Sequence, residues 1–211
     1  MILTIASQEA AAIPAGSPPS SATTAGSIAR SLASRRANAG RNVLLICQKT
    51  PDKQPNQHRK GSDDCAWLAT DMKAGARGRK LAVEEIADEL ANARERYHDV
   101  VIDMPRLQHE DSLYVLAATG LAVFAIQTAS WNQDRQKRLI QRISAARSWN
   151  PALPVLVIVD DVDSLAAQAI ISRLSDKVAH IRFIHLHVAQ QQGLAANDAP
   201  LTALYKAIYK C

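Results

Sequence analysis

Short runs of β-branched and other apolar residues recur along the chain, each set apart from the next by room for a helix. They are ILTIA at 2–6, NVLLIC at 42–47, DVVID at 99–103, LAVFAIQ at 121–127, PVLVIV at 154–159 and IRFIHL at 181–186. A strand with one wet face alternates apolar and polar residues, whereas these runs are apolar almost throughout, as strands covered on both faces are. Helical patterns fall between them, near 23–36, 81–96, 110–119, 133–149, 164–175 and 199–210. The alternation predicts a doubly wound α/β fold, its mainly parallel sheet flanked by helices.

The helices carry the stripe that such a sheet requires. Ile86, Leu90, Ala93 and Tyr97 share one face of the second helix, and Ala25, Ile28, Ala29 and Leu32 share one face of the first. Arg35 and Arg36 sit at the first helix's negative end. Trp131 and Trp149 flank the 133–149 helix and are expected to pack at its ends, and Tyr205 and Ile208 suit docking of the last helix on the sheet. Two segments break the pattern: the Ala/Pro/Ser-rich loop 9–22, and 48–80, which is polar, lacks apolar periodicity and reads as a long excursion. No internal repeat or second domain is evident, so 1–211 reads as a single domain.

With 211 residues, 47% of them apolar, the chain can bury a core without disulfides or metal. Cys47, Cys65 and Cys211 are widely spaced with no C-x-x-C pair, which reads as reduced thiols in a cytoplasmic protein. No apolar run approaches the roughly 18 residues of a membrane span. The net charge of +5 leaves room for an anionic partner without requiring one.

In open α/β sheets ligands sit beyond the C-terminal strand ends, which directs attention to the segment after the first strand. There the strand leads into ASQ, the following helix opens TTAGSIARSLASRR, and the next strand reads VLLIC. Further on come YHDVVIDMP at 97–105, then LAATGLAVFAIQTASWNQDRQKRLIQRISAARSWNPALPVLVIVDDVD, and at the end IRFIHLHVAQQQGLAANDAPLTALYKAIYK. This ordered series resembles the ParA/MinD family of deviant Walker ATPases, a P-loop NTPase-like fold, and particularly the small plasmid-partition ParA proteins. The family reads K-G-G-x-G-K-[ST]-T after the first strand, L-L-I-D-x-D-P-Q after the second, and Y-D-x-V-I-I-D-x-P at the Walker B segment.

The resemblance implies a nucleotide site for ATP and magnesium. Asp103 would hold a magnesium-bound water, Thr23 and Thr24 lie where the magnesium-binding hydroxyl belongs, and Asp160 and Asp161 where a base-contacting residue does. Thr23 or Ser21 has an alternative role as a helix N-cap, and Asp160 and Asp161 as a solvated turn. The resemblance also implies a homodimer, or a heterodimer with an active ParA/MinD-type ATPase, at work in partition or positioning of a plasmid or cellular assembly, in the cytoplasm and in places on the nucleoid.

The departures from the family bear on activity. Where it has K-G-G this chain has Glu9, Ala10 and Ala11, and no lysine occurs before Lys49. Glycines let successive N–H groups curl round phosphate while lysine neutralises its charge; Pro14, Pro18 and Pro19 offer no N–H, and Glu9 repels. Charge-assisted hydrogen bonds contribute about 1.5–3 kcal/mol each, so losing two lysines and several N–H donors removes most of the roughly 8 kcal/mol of a micromolar site. The second strand ends in Cys47 and Gln48, not in carboxylates. The expectation is a pseudo-ATPase with a degenerate Walker A loop and a vestigial site at Thr23, Thr24, Asp103 and Asp160. An active ATPase with an irregular loop, using Asp103 and an arginine from elsewhere, is the rival reading; Arg106 is one cation near that end.

A third reading is a non-sequence-specific DNA-binding module. Arg135, Arg138 and Arg142 follow one another at i, i+3 and i+7, and Arg173, Arg182, Lys177, Lys206 and Lys210 could extend the patch; the small ParA proteins bind DNA through such surface cations. His185 and His187 lie two apart on a strand, with no third metal ligand in view.

Overall fold

A computed structural model describes residues 1–7, 24–49, 75–105, 107, 110–159, 164–185 and 199–209. In chain order the elements are β1 (Ile2–Ser7), α1 (Thr24–Asn38), β2 (Val43–Gln48), β3 (Ala76–Leu81), α2 (Val83–Arg96), β4 (Asp99–Met104) and α3 (Ser112–Ala118). They continue with β5 (Leu121–Ile126), a 3-10 turn (Thr128–Ser130), α4 (Gln133–Trp149), β6 (Val155–Val159), α5 (Leu165–Lys177), β7 (Ile181–His185) and α6 (Ala199–Tyr209).

The seven strands form one sheet in the order β3-β2-β4-β1-β5-β6-β7, every pair parallel. The sheet has two buried faces because alternate residues of each strand point opposite ways. On one face, Ala6, Ile46, Ile102, Phe124 and Val157 pack against Ile86 and Leu90 of α2, Val115 of α3, Leu139 and Ile143 of α4, and Ile170 and Leu174 of α5. On the other, Leu3, Ile5, Leu45, Val101, Val123 and Ile158 pack against Ala25, Ile28, Ala29 and Leu32 of α1 and Leu201, Leu204 and Ile208 of α6. The stripes expected for α1 and α2 are thus the buried ones, with Tyr97 half-buried where α2 ends, and Ile208 docks as expected.

β1 lies between β4 and β5, with Ile5 beside both Asp103 and Val123. Thr4, a polar residue at full burial, is satisfied: its hydroxyl and that of Thr119 lie 2.6 Å apart, and Thr119 donates to the Val115 carbonyl at 2.8 Å.

Two expectations need correction. β3 lies inside the segment read as an excursion. It is an edge strand on β2, with Arg77, Gly78, Arg79 and Lys80 exposed, so its sequence shows charge and no apolar period. Charge on an edge discourages pairing with another chain, and Arg79 is also ion-paired with Glu89 of α2. Trp149 does not pack into the core at the end of α4; it is 67% exposed.

The N-terminal edge of the sheet is tied by one carboxylate. Asp99, with a side chain only 2% exposed, receives Arg36 of α1 at 2.8 Å, Arg41 at 3.4 Å and the Met1 amino group at 3.4 Å. Burial by itself raises the Asp99 pKa, but the hydrogen bond and charge of Arg36, the amino group and Arg41 outweigh it and hold the carboxyl below its ordinary value. Arg36 also lies over the Tyr209 ring at 4.2 Å and donates to the Tyr205 hydroxyl, while Arg35 donates to Thr202 Oγ1 at 2.9 Å. The end of α1 is therefore clasped to α6 as well as to β4.

After α1 the chain turns at Gly40, whose φ is +77° and whose N–H donates to the Ala37 carbonyl at 2.9 Å. No atom lies within 4 Å of a Cβ added there, so substitution meets backbone strain alone. Gly40→Ala is expected to lower unfolding stability by about 1 kcal/mol, read as a shift of the urea midpoint at unchanged slope.

Candidate functional site

Among the residues expected at the nucleotide site, Asp103 is the one whose side chain is described. It is the fifth residue of β4, beside Ile5 of β1 and Cys47 of β2 at the C-terminal end of the sheet. By strand alternation it shares the face of Val101, the side covered by α1. Cys47, half-buried and not in a disulfide, packs on that same side.

The Asp103 carboxyl is in an unusual state for a strand-end aspartate. Its Oδ1 is buried with no hydrogen-bond partner among the described residues. Burial pushes its pKa up to about 6, and the positive charge of Arg30 only partly opposes this. Arg30 stands in the second turn of α1 and donates to Ser27 Oγ at 3.3 Å. Its importance was not evident in the sequence. What could have found it is the helical rule that a long side chain leans toward its helix N-terminus, here toward the strand ends.

The remaining expected nucleotide residues are not brought together by anything described. Thr24 opens α1, with its side chain outside the described set, and Thr23, Arg106, Asp160 and Asp161 lie outside the described residues altogether. The loop 9–22 lies there as well, as does His187.

The donor set fits the cation side of a nucleotide site better than the phosphate side. Asp103 presents a buried oxygen in search of a positive partner, which suits magnesium or a metal-bound water. Beside it stands Cys47, a thiol and not a second carboxylate, and Arg30 of α1 acts on it through its charge. Arg30 supplies one positive charge but not the nest of glycine N–H groups that cradles phosphate.

The basic residues do not form one patch. Arg135 is buried: its guanidinium donates to Ser130 Oγ at 2.7 Å, bracing the 3-10 turn before α4. It thereby leaves the proposed stripe. Arg138 is exposed and Arg142 half-buried on α4, and Arg173 is exposed on α5 of the same layer. Lys206 projects from α6 on the opposite side of the sheet, and Lys210 lies outside the described residues. No group of three or more His, Cys, Asp or Glu that could hold a metal occurs among the described residues, and no described helix is long and apolar enough to cross a membrane.

At the opposite end of the sheet, Met1, Arg94, Tyr97, His98, Thr119, Gly120 and Asn150 line a shallow pocket of about 420 Å³. Its polar groups serve the fold: Asn150 Nδ2 donates to the Ala117 and Thr119 carbonyls, and Arg94 to that of Ala118.

No protein-family model matches this chain, and no curated protein does. Solved structures do match over almost the whole chain. A plasmid partition protein from Borrelia burgdorferi superposes with a TM-score of 0.60 at 12% identity, covering 99% of this chain and 97% of that one. Cobyrinic acid a,c-diamide synthase from Mycobacterium smegmatis, with bound ADP and magnesium, gives 0.62 at 14% identity, covering 100% and 95%. The septum site-determining protein MinD from Pyrococcus horikoshii OT3, complexed with Mg-ADP, gives 0.57 at 11% identity, covering 100% and 96%. With its parallel sheet flanked by helices, the chain has the P-loop NTPase-like fold of the ParA/MinD-type ATPases.

Proposed function

We propose that this chain is a ParA/MinD-like pseudo-ATPase that acts by binding, as a scaffold component in the partition or positioning of a plasmid or cellular assembly. The fold shared with partition and septum-site proteins supports the setting. The observation that carries the pseudo-ATPase reading is the company Asp103 keeps. A buried carboxyl whose pKa is pushed up to about 6 lies beside a thiol and within the field of one arginine at the strand ends, in a chain with no lysine before Lys49. Among the described residues such a site lacks the charge that holds a triphosphate and the second carboxylate that orients magnesium and water.

Titration calorimetry with ATP and with ADP, each with magnesium, tests this directly. No heat is expected at about millimolar nucleotide; binding at about micromolar concentration would overturn the reading. Arg30 favours a second reading, in which it stands in for the missing lysine of an irregular but working ATPase. That reading requires magnesium-dependent turnover abolished both by Asp103→Ala and by Arg30→Ala.

A further inference from the structure

The layer of helices α2, α3 and α4 carries a surface that the strand-end site does not use. α3 packs against both α2 and α4 and so lies between them. Tyr114 of α3 and Trp149 of α4 are 52% and 67% exposed, and their rings meet edge to face with centroids 5.6 Å apart. Two large aromatic rings in contact and open to water form an apolar patch larger than isolated surface residues make.

The charges on either side of that patch are opposite. On α4, Arg138, Arg142 and Trp149 fall at i, i+4 and i+11, on the flank turned toward α3. On α2, Glu84, Asp88 and Glu95 fall at the same i, i+4 and i+11, all exposed and opposite the buried Ile86, Leu90 and Ala93. Each stripe spans roughly 16 Å at a rise of 1.5 Å per residue.

We propose that this face pairs with the same face of a second copy, about a two-fold axis running along α3. That operation reverses the lateral order of the helices while keeping their direction, so α2 of each copy lies along α4 of the other. Glu84 and Asp88 of each copy then meet Arg138 and Arg142 of the other in matching spacing, with Tyr114 of both copies at the centre and each Trp149 beside it. Self-complementarity of this kind is what an isologous interface requires: one patch holding both halves of its own partner. A nucleic acid or an acidic protein would match the α4 side but would be repelled by Glu84, Asp88 and Glu95. The interface lies on a helical layer, away from the strand ends, and does not depend on the reading given to the nucleotide site.

Sedimentation at low salt without nucleotide, over about 1 to 100 micromolar, is expected to show the mass doubling with concentration. Trp149→Ala with Tyr114→Ala should weaken association at least about tenfold. The decisive pair is Arg138→Glu with Arg142→Glu in one variant, and Glu84→Lys with Asp88→Lys in another. Each alone juxtaposes like charges and should stay monomeric; mixed, each supplies what the other lacks at both contacts, and a dimer should form. A wild type that stays monomeric throughout would overturn the proposal. So would a wild-type dimer whose two charge variants fail to pair on mixing, since association would then use another surface.

Discussion

Asp99→Ala is expected to lower unfolding stability by about 3–5 kcal/mol, the usual result of removing one partner from a buried charge pair. The carboxylate is 2% exposed and the Arg36 side chain 14%, so the guanidinium left behind cannot recover its hydration by turning outward. Arg41 is 42% exposed and contributes much less. Because the Asp99 pKa is lowered by folding, its contribution is complete above the unfolded carboxylate value near pH 4 and is lost as pH falls through the folded one. Urea titrations of wild type and variant should therefore differ most at neutral pH and converge in acid. An equal difference at pH 7 and at pH 2 would show that the carboxylate charge is not what ties α1 to β4.

The second variant has the opposite sign. Asp103→Asn is expected to stabilise the fold by about 1–3 kcal/mol at pH 7.5, since the ionised carboxylate is buried with one oxygen unpartnered. Here folding raises the pKa, to about 6. The folded state binds the proton more tightly than the unfolded chain, so ionisation opposes folding above pH 6, and that penalty fades as pH falls from 6 toward 4. Wild-type stability should accordingly rise on mild acidification while Asp103→Asn shows no such rise. A variant less stable than wild type at pH 7.5 would mean that Asp103 is an anchor in the fold and not a source of strain in it. Any cation that settled against Oδ1 would remove the penalty, and for that reason stability near neutral pH also reports on occupancy of this end of the sheet.

What could be read in the sequence divides along the line between burial and surface. The strands covered on both faces declared themselves, because two-sided burial leaves little room for polar residues; Val43–Ile46 and Leu121–Ile126 are buried at every position. Boundaries fell within a residue or two, as at α1, which runs to Asn38 where 23–36 was expected. β3 escaped because an edge strand is fixed by backbone pairing with β2 while its Arg77, Arg79 and Lys80 face water, leaving no periodicity to see. Arg135 and Trp149 were exchanged in role for a similar reason. Residue type argued that the arginine would be solvated and the tryptophan covered, but the turn at Thr128–Ser130 offers Arg135 a hydroxyl, while the Trp149 ring meets the exposed Tyr114 and stays largely open to water. At the candidate site, the sequence located Asp103 by its place at a strand end, yet its neighbour Arg30 is set by how α1 lies across the sheet, which spacing along the chain does not encode.

The position of β1 governs the order in which this chain can assemble. Its partners are β4 and β5, so this strand pairs with residues 100–104 and 121–125, and the Met1 amino group meets Asp99 across 98 positions. During synthesis β1 emerges before both of its partners and waits for β4 to follow, its Ile2, Leu3 and Ile5 unpaired meanwhile. Closing so long a loop before any contact rewards it makes collapse of the central sheet a slow, late step. A fragment ending before residue 99 has no route to the native core, however well its helices form.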